Sequence, residues 1–585
     1  MAVIRFQQFG GRVPRLSSRL LPENSAQMAL NAKLTSGELR PWWQPLELAQ
    51  LPTGTLTAYR YWDNGQRLFA AFPFYANVFE SALINDSFRR VYYSSAEGFF
   101  VTTKADLKAG APAIAVGIPQ AVLPLFGVSV NGGDPTTTET RVYVAILVGK
   151  YGEEGPVSEA VTISGPTDGV WDIRGLDSLV LDTAAYPSTT AIRIYRTITT
   201  ATGVDFRMVK EWALSSNPTT FVDDVTNSEL AASPVLQSAS WTPPPAGLQG
   251  VIPMSGGFNA GFTGRTVHFS EPYHPHAWPE EYQIAVHDDI VGLGHYGNTL
   301  VIMTLGKVSM ASGTTPDQMT LVTDAKNVPC LSAESIVSTV GTVLYASDEG
   351  LISVSNEGVQ VVSRAFMTRD EWMRLSPSSL KGAVYENRYL GFYSDSMGFV
   401  FNWEDPSTAW TDVQHPDITD VATDATTSRT LLLSRNRVLE WDGDMYNPMA
   451  YAWRSKPLVI PKPANFGALQ VRAAFDWVAD SRPDAYPPVD PALDDPLGTN
   501  TSSINAGGAI DGPATNDPYD PAYSGVYVRV YGDKKLRWEG MVRSEDPVRL
   551  PSGYKADEWE VELTGSVPVF SCVVASTGKA LEETP

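Results

Sequence analysis

Thr342-Val-Leu-Tyr-Ala346, Asp348-Glu-Gly350, Leu351-Ile-Ser-Val-Ser355 and Val359-Gln-Val-Val362 follow one another within a few turns of chain. Short β-branched and apolar runs, broken by acidic-glycine turns, read as consecutive antiparallel strands. The rhythm continues outward on both sides. Thr299-Leu-Val-Ile-Met-Thr304 and Gly306-Lys-Val-Ser-Met310 precede it. Arg388-Tyr-Leu-Gly-Phe-Tyr393, Phe399-Val-Phe-Asn-Trp403, Arg429-Thr-Leu-Leu-Leu433 and Val438-Leu-Glu-Trp-Asp442 follow. Each set of three or four strands takes roughly 40–50 residues, the scale of a propeller blade. Nearer the start, Thr55–Trp62 and Arg67–Phe72 flank Asp63-Asn64-Gly65, a hairpin signature. The expected fold class is therefore mainly β, with a β-propeller-like body.

Residues 133–240 interrupt that body. Tyr143 through Ser158, then Ile192-Arg-Ile-Tyr-Arg196, then Phe221-Val-Asp-Asp224 resemble a fibronectin type III domain, which implies a small β-sandwich insertion. Thr242-Pro-Pro-Pro245 then reads as a stiff exit. The expected organisation is an N-terminal arm (1–50), a first part of the body (51–132), the insertion (133–240), a second part of the body (241–460) and a C-terminal β region (461–585). Within the last, residues 476–525 hold nine Asp and one Arg among many Pro, Gly, Asn and Ser, an acidic excursion of solvated character.

The arm differs from the rest. Arg5, Arg12, Arg15, Arg19, Lys33 and Arg40 face only Glu23 and Glu38 over residues 1–45, in a chain of 585 residues with net charge −22. Gly10-Gly11, Pro14 and Pro22 predict an extended path, and Asn24-Ser25-Ala-Gln-Met-Ala-Leu-Asn-Ala32 one or two helical turns. Such an arm either packs on its own domain or reaches a neighbouring subunit. Arg5, Arg12, Arg15, Arg19 and Arg40 are its candidate interface residues.

The acidity excludes a conventional phosphate-gripping footprint. It fits either simple solubility or a surface that repels a passing polyanion. Two cysteines, Cys330 and Cys572, make no disulfide framework and no zinc pattern, so a reducing compartment of synthesis is expected. Neither a signal-peptide core nor a run of apolar residues long enough to span a membrane is expected.

The motifs of catalysis fail in context. Gly292-Leu-Gly294-His-Tyr-Gly297 matches a dinucleotide fingerprint by letter, yet a β-branched run follows where a helix is required, so a hairpin turn is expected. His274-Pro-His276 lies near Glu271, Glu280 and Glu281, but the proline prevents helical alignment of metal ligands. Asp490, Asp494, Asp495, Asp511, Asp517 and Asp520 lack the terminal Glu of a calcium loop. The expectation is no enzyme, no cofactor and no metal.

Three ordered stretches carry a resemblance. They are Phe9-Gly-Gly-Arg-Val-Pro-Arg-Leu-Ser-Ser-Arg-Leu-Leu-Pro22, running on to Leu34-Thr-Ser-Gly-Glu-Leu-Arg-Pro41; Val267-His-Phe-Ser-Glu-Pro-Tyr-His-Pro-His-Ala-Trp-Pro279 with Ile290–Thr304; and Trp453-Arg-Ser-Lys-Pro457 with Pro461-Lys-Pro-Ala-Asn-Phe-Gly467. Together they resemble the tail nozzle (tail-tip, packaged-DNA-stabilisation) proteins of short-tailed bacteriophages, the podoviruses. The resemblance implies a structural virion protein assembled in the bacterial cytoplasm. It implies a homo-hexameric ring in the virion tail, with the head-to-tail adaptor above and tail fibres or spikes at the side and tip. Viral double-stranded DNA would pass transiently through its channel during ejection, without sequence-specific binding. Two other classes stay open on the residues alone: a receptor-binding spike or fibre, and a tail-associated polysaccharide hydrolase.

Overall fold

The structure, a computed structural model, describes residues 2–200, 203–394, 396–403, 410–424, 427–475 and 525–582. The acidic excursion, apart from Gly525, lies outside the described residues. Two compact units are present: Met1–Pro73 with Cys330–Pro585, and the contiguous stretch Phe74–Pro329. The fold is mainly β, a succession of small antiparallel sheets interrupted by a sandwich.

Phe74–Pro329 contains three four-stranded meanders. The first joins Asn77–Glu80, Arg90–Ser95, Gly98–Thr103 and Ile114–Ala115. The second joins Gln249–Pro253, Asn259–Thr263, Thr266–Phe269 and Gln283–Ala285, and the third Ile290–Tyr296, Thr299–Thr304, Lys307–Ser312 and Thr320–Asn327. Thr299–Thr304 is almost wholly buried, so both of its faces are covered. That is why it reads as a continuous apolar run rather than an alternation. In the third meander Gly292 and Gly294 lie inside a strand, and only Gly297 (φ +50°) sits in the two-residue turn between Tyr296 and Thr299. The dinucleotide-like spelling is a hairpin.

Between the first two meanders lies the sandwich. One sheet joins Gly127–Asn131, Val170–Arg174 and Thr220–Val222; the other runs Val161–Pro166, Thr138–Gly149, Thr189–Thr200, Gly203–Ala213. Its core gathers Tyr143, Ala145, Leu147, Trp171, Ile173, Ile192 and Ile194. A buried carboxylate holds one end: Asp223 accepts from the Tyr143 hydroxyl at 2.7 Å and pairs with Arg196 Nε at 2.7 Å and Arg141 at 3.3 Å. The Arg141 guanidinium also lies 4.1 Å over the Trp171 ring.

The other unit is stitched from both ends of the chain. Val337–Ser338, Thr342–Ser347, Gly350–Ser355 and Gly358–Val361 form one meander. Asp420–Thr423, Thr430–Ser434 and Arg437–Pro448 form another, whose fourth strand is Trp43–Gln50 from the opposite end of the chain. Lys381–Tyr385 to Trp410–Gln414 make four strands of a ten-stranded sheet. That sheet continues through Ala26–Leu30, Tyr451–Ser455, Ala556–Gly565, Val526–Gly532 and Lys535–Val542, and its tenth strand, Leu458–Ala464, pairs with Ala556–Gly565.

The helical turns expected over Asn24–Ala32 are a strand instead. Ala26–Leu30 pairs antiparallel with Tyr451–Ser455, Ala29 opposite Trp453. Tertiary pairing overrides the local helical preference of Ala-Gln-Met-Ala-Leu. Asn31 turns the chain at φ +52°, its side chain donating to Ala450 O at 3.0 Å and accepting from Gln414 N at 2.8 Å.

Candidate functional site

The extended arm is threaded through its own unit. Gly11 passes so close to the backbone at Trp410 that a Cβ there would meet the carbonyl oxygen at 2.4 Å, which leaves glycine as the residue that fits. The next residue, Arg12, donates its backbone N–H to Trp410 O at 2.8 Å and forms an ion pair with Asp412. Arg15 donates to Arg364 O at 3.0 Å. Arg19 pairs with Glu558 at 3.2 Å, and Arg40 with Glu38 at 2.6 Å. Arg5 sits exposed on strand Val3–Phe6 and forms no ion pair among the described residues. Four of the five candidate arginines thus already have partners within the chain.

The His274-Pro-His276 loop gathers differently. The two rings stand perpendicular, 5.6 Å apart, and both lie against Trp241 at 4.6 and 5.4 Å. The Trp278 indole donates to Pro275 O at 2.8 Å and fixes the loop. His276 is buried, with Nδ1 3.9 Å from Glu153 on the sandwich turn. Arg90 bridges Glu153 at 3.0 Å and Asp86 at 2.8 Å.

Burial lowers the His276 pKa to about 3, helped by His274 and Arg90, so the ring is neutral. Burial raises Glu153 above the usual carboxylate range, with Arg90 pulling against it. Burial also works on Asp86, but hydrogen bonds from Arg90 and that guanidinium's charge hold it below the ordinary range. The chemistry available is a charge-paired lock between the sandwich turn and the first and second meanders. Among the described residues no group of three or more His, Cys, Asp or Glu is arranged to hold a metal ion. The Asp490–Asp520 cluster lies outside the described residues.

Asp420 is a half-buried, strongly desolvated carboxyl that sequence reading did not single out. Desolvation raises its pKa to about 7, with Glu334 adding repulsion and Val421 N–H donating at 2.9 Å against it. Lys381 is paired with Glu334 beside it. A single Asp before a β-branched run carries no signal of this kind, because the burial comes from strands distant in sequence.

No family model matches the chain, and no curated protein matches it. Among solved structures, the computationally designed Ika8 protein aligns at 11% identity over 68% of this chain and 99% of that one, TM-score 0.24. BBS1N, solved in complex with ARL6DN, aligns at 7% identity over 67% of this chain and 97% of that one, TM-score 0.26. Myxococcus xanthus glutaminyl cyclase aligns at 13% identity over 33% of this chain and 89% of that one, TM-score 0.21. Superpositions this loose carry no argument about function. Among the described residues no helix is long and apolar enough to cross a membrane.

Proposed function

We propose that this chain is a non-enzymatic structural protein of a short-tailed phage, one subunit of the hexameric tail nozzle through which genomic DNA is held and then passes. One observation carries the reading. Two of the stretches that resemble nozzle proteins, residues 9–41 and 453–467, are packed on each other. Trp453 donates to Gly10 O at 3.1 Å and receives the edges of Phe6 and Phe9 at 5.5 and 5.0 Å. Lys456 donates to Leu21 O and the Gln27 amide to Ser455 O, each at 2.8 Å. Likeness scattered by chance through unrelated segments has no reason to fall on residues that bury one another.

The chain's charge suits the role. A net −22 protein repels a polyanion, so DNA slides past rather than sticking. In this reading the adaptor lies above the ring, fibres or spikes attach at the side and tip, and no residue catalyses a reaction. Native mass spectrometry and imaging of the assembled particle test it. The expected result is a six-subunit ring with an axial lumen, located below the portal. A stable trimer on a peripheral appendage, or turnover of host surface polysaccharide by the purified protein, overturns it. A strongly basic lumen removes the sliding mechanism.

A further inference from the structure

The arm ties two bodies together instead of belonging to one core. The first core gathers Phe6, Phe9 and Ala29 with Trp453, Trp559 and Val574. A second gathers Phe366, Tyr389, Phe399 and Trp410, and a third Trp42, Leu390, Trp441 and Met449. Tyr389 and Leu390 are consecutive in strand Arg388–Ser394, so the second and third cores lie on opposite faces of one sheet and make a single meander body. The first core makes the C-terminal body. The ten-stranded sheet passes from one body to the other through the arm strand Ala26–Leu30. That strand meets Tyr451–Ser455 at four residue pairs but Trp410–Gln414 at one, Leu30 with Asp412, so the ladder is thinnest at the border.

The backbone crosses this border at Pro41–Trp42 and again at Met449–Ala450. The two crossings are side by side. Met449 N–H donates to Trp42 O at 2.7 Å, and the Asn31 side chain donates to Ala450 O at 3.0 Å. Lys33 adds ion pairs across the border to Asp442 at 2.9 Å and Glu386 at 3.0 Å.

A tongue of the arm makes a second tie. Phe9 belongs to the first core, and by Arg19 and Leu21 the chain is back on the C-terminal body, bound to Glu558 and Lys456. Between these anchors it reaches across. Arg12 donates its N–H to Trp410 O and pairs with Asp412; Arg15 donates its N–H to Phe366 O at 2.7 Å and its side chain to Arg364 O at 3.0 Å. Val13 packs on the second core. These ties are hydrogen bonds and ion pairs with Val13 as their apolar member, and such a border opens more easily than a shared core.

We propose that Gly11–Leu16 is a clasp, and that the meander body and the C-terminal body swing about the paired crossings when it releases. A few adjacent residues at element ends are what a hinge uses to absorb the change of backbone angle. The inference goes beyond the tail reading and does not depend on it. It also gives the basic arm a task within its own chain: Arg12, Arg15 and Lys33 hold the border, whereas Arg19 binds within one body.

Spin labels on the two bodies test it. Asn356→Cys and Ser552→Cys place nitroxides on exposed turns of the meander body and the C-terminal body, while the native Cys330 and Cys572 are buried. Pulsed electron–electron resonance reads their separation in the full-length chain, and circular dichroism checks folding. The expected result is one narrow distance in the doubly labelled chain and a second distance once Arg12→Glu and Val13→Asp are added. Hydrogen exchange over residues 410–414 is expected to quicken at least roughly tenfold in that clasp variant, with residues 451–455 unchanged. Arg19→Glu is the control and should alter neither readout. A folded clasp variant that keeps one distance and normal exchange overturns the proposal. Equal loss of protection at 410–414 and 451–455 also overturns it, because the arm then unfolds as a whole rather than releasing a clasp. Two distances already present without the clasp changes, and unaltered by them, overturn the clasp as well. If the clasp variant does not fold, Arg12→Gln with Val13→Ala replaces it, with the same outcomes.

Discussion

The Trp453 indole N–H reaches the backbone carbonyl of Gly10 at 3.1 Å across 443 residues of sequence. Both groups are buried, and the ring fills the space between Phe6 and Phe9. This contact fastens the two ends of the chain into one core.

Trp453→Ala removes that ring and leaves a cavity with an unpaired carbonyl. The expected loss is about 3–5 kcal/mol of unfolding free energy. Trp453→Phe keeps most of the volume and loses the hydrogen bond, with an expected loss of about 1–3 kcal/mol. Urea titration with peptide-resolved hydrogen exchange checks both. Loosening is expected in Met1–Pro73 and Cys330–Pro585.

Gly11→Ala places a methyl against Trp410 O and forces two backbones apart. An expected destabilisation of about 1–3 kcal/mol follows from overpacking. Gly341→Ala is the control, since its Cβ meets nothing within 4 Å. That change is expected to shift stability by no more than about 0.5 kcal/mol in the unfavourable direction. Equal effects at the two sites would refute the close-approach argument.

Asp223→Ala leaves the Arg196 guanidinium buried without its carboxylate. The expected cost is about 3–5 kcal/mol, concentrated in the sandwich. Protease sensitivity between residues 127 and 222 should rise first, ahead of the rest of the chain.

Two desolvated groups, the half-buried Asp420 and the buried His276, impose opposite pH dependences. Asp420 has its pKa raised to about 7 from 3.8, so between those values the native state keeps a proton that the unfolded chain has released. Stability from this group falls as pH rises through that window. Asp420→Asn is expected to match wild type near pH 4 and to exceed it by on the order of 2–4 kcal/mol at pH 8. His276 has its pKa lowered to about 3 from 6.5, so the unfolded chain takes up a proton first. Stability from it falls as pH drops from 6.5 towards 3, and His276→Phe should flatten that slope. Unfolding free energies measured from pH 4 to 8 decide both signs.

Local chemistry made some of this fold legible. Asn64-Gly65 occupies the turn between Asp63 and Gln66, both with positive φ, as a tight hairpin requires. The buried central strands read clearly because their apolar runs are short and bounded by turns. The Ala26–Leu30 strand was not legible, since its partner strands, Trp410–Gln414 and Tyr451–Ser455, lie hundreds of residues away and its own residues favour helix. The arm arginines were visible as a basic cluster, but composition cannot tell Arg12, paired with Asp412, from Arg5, which forms no ion pair among the described residues. Likewise Glu153 reads as part of a turn, and only the tertiary fold sets it against Arg90 and His276.

Trp43–Gln50 completes a sheet whose other strands end at Pro448. A ribosome therefore delivers this strand long before its partner exists. At about 5–20 residues per second, the wait is roughly 20–80 s. Phe74–Pro329 is contiguous and emerges complete within that interval. The unit formed by the two ends is thus assembled only after release of most of the chain, and its early strands spend that time with unsatisfied edges. Any device that shields them during synthesis, such as a holding chaperone, acts on the first fifty residues.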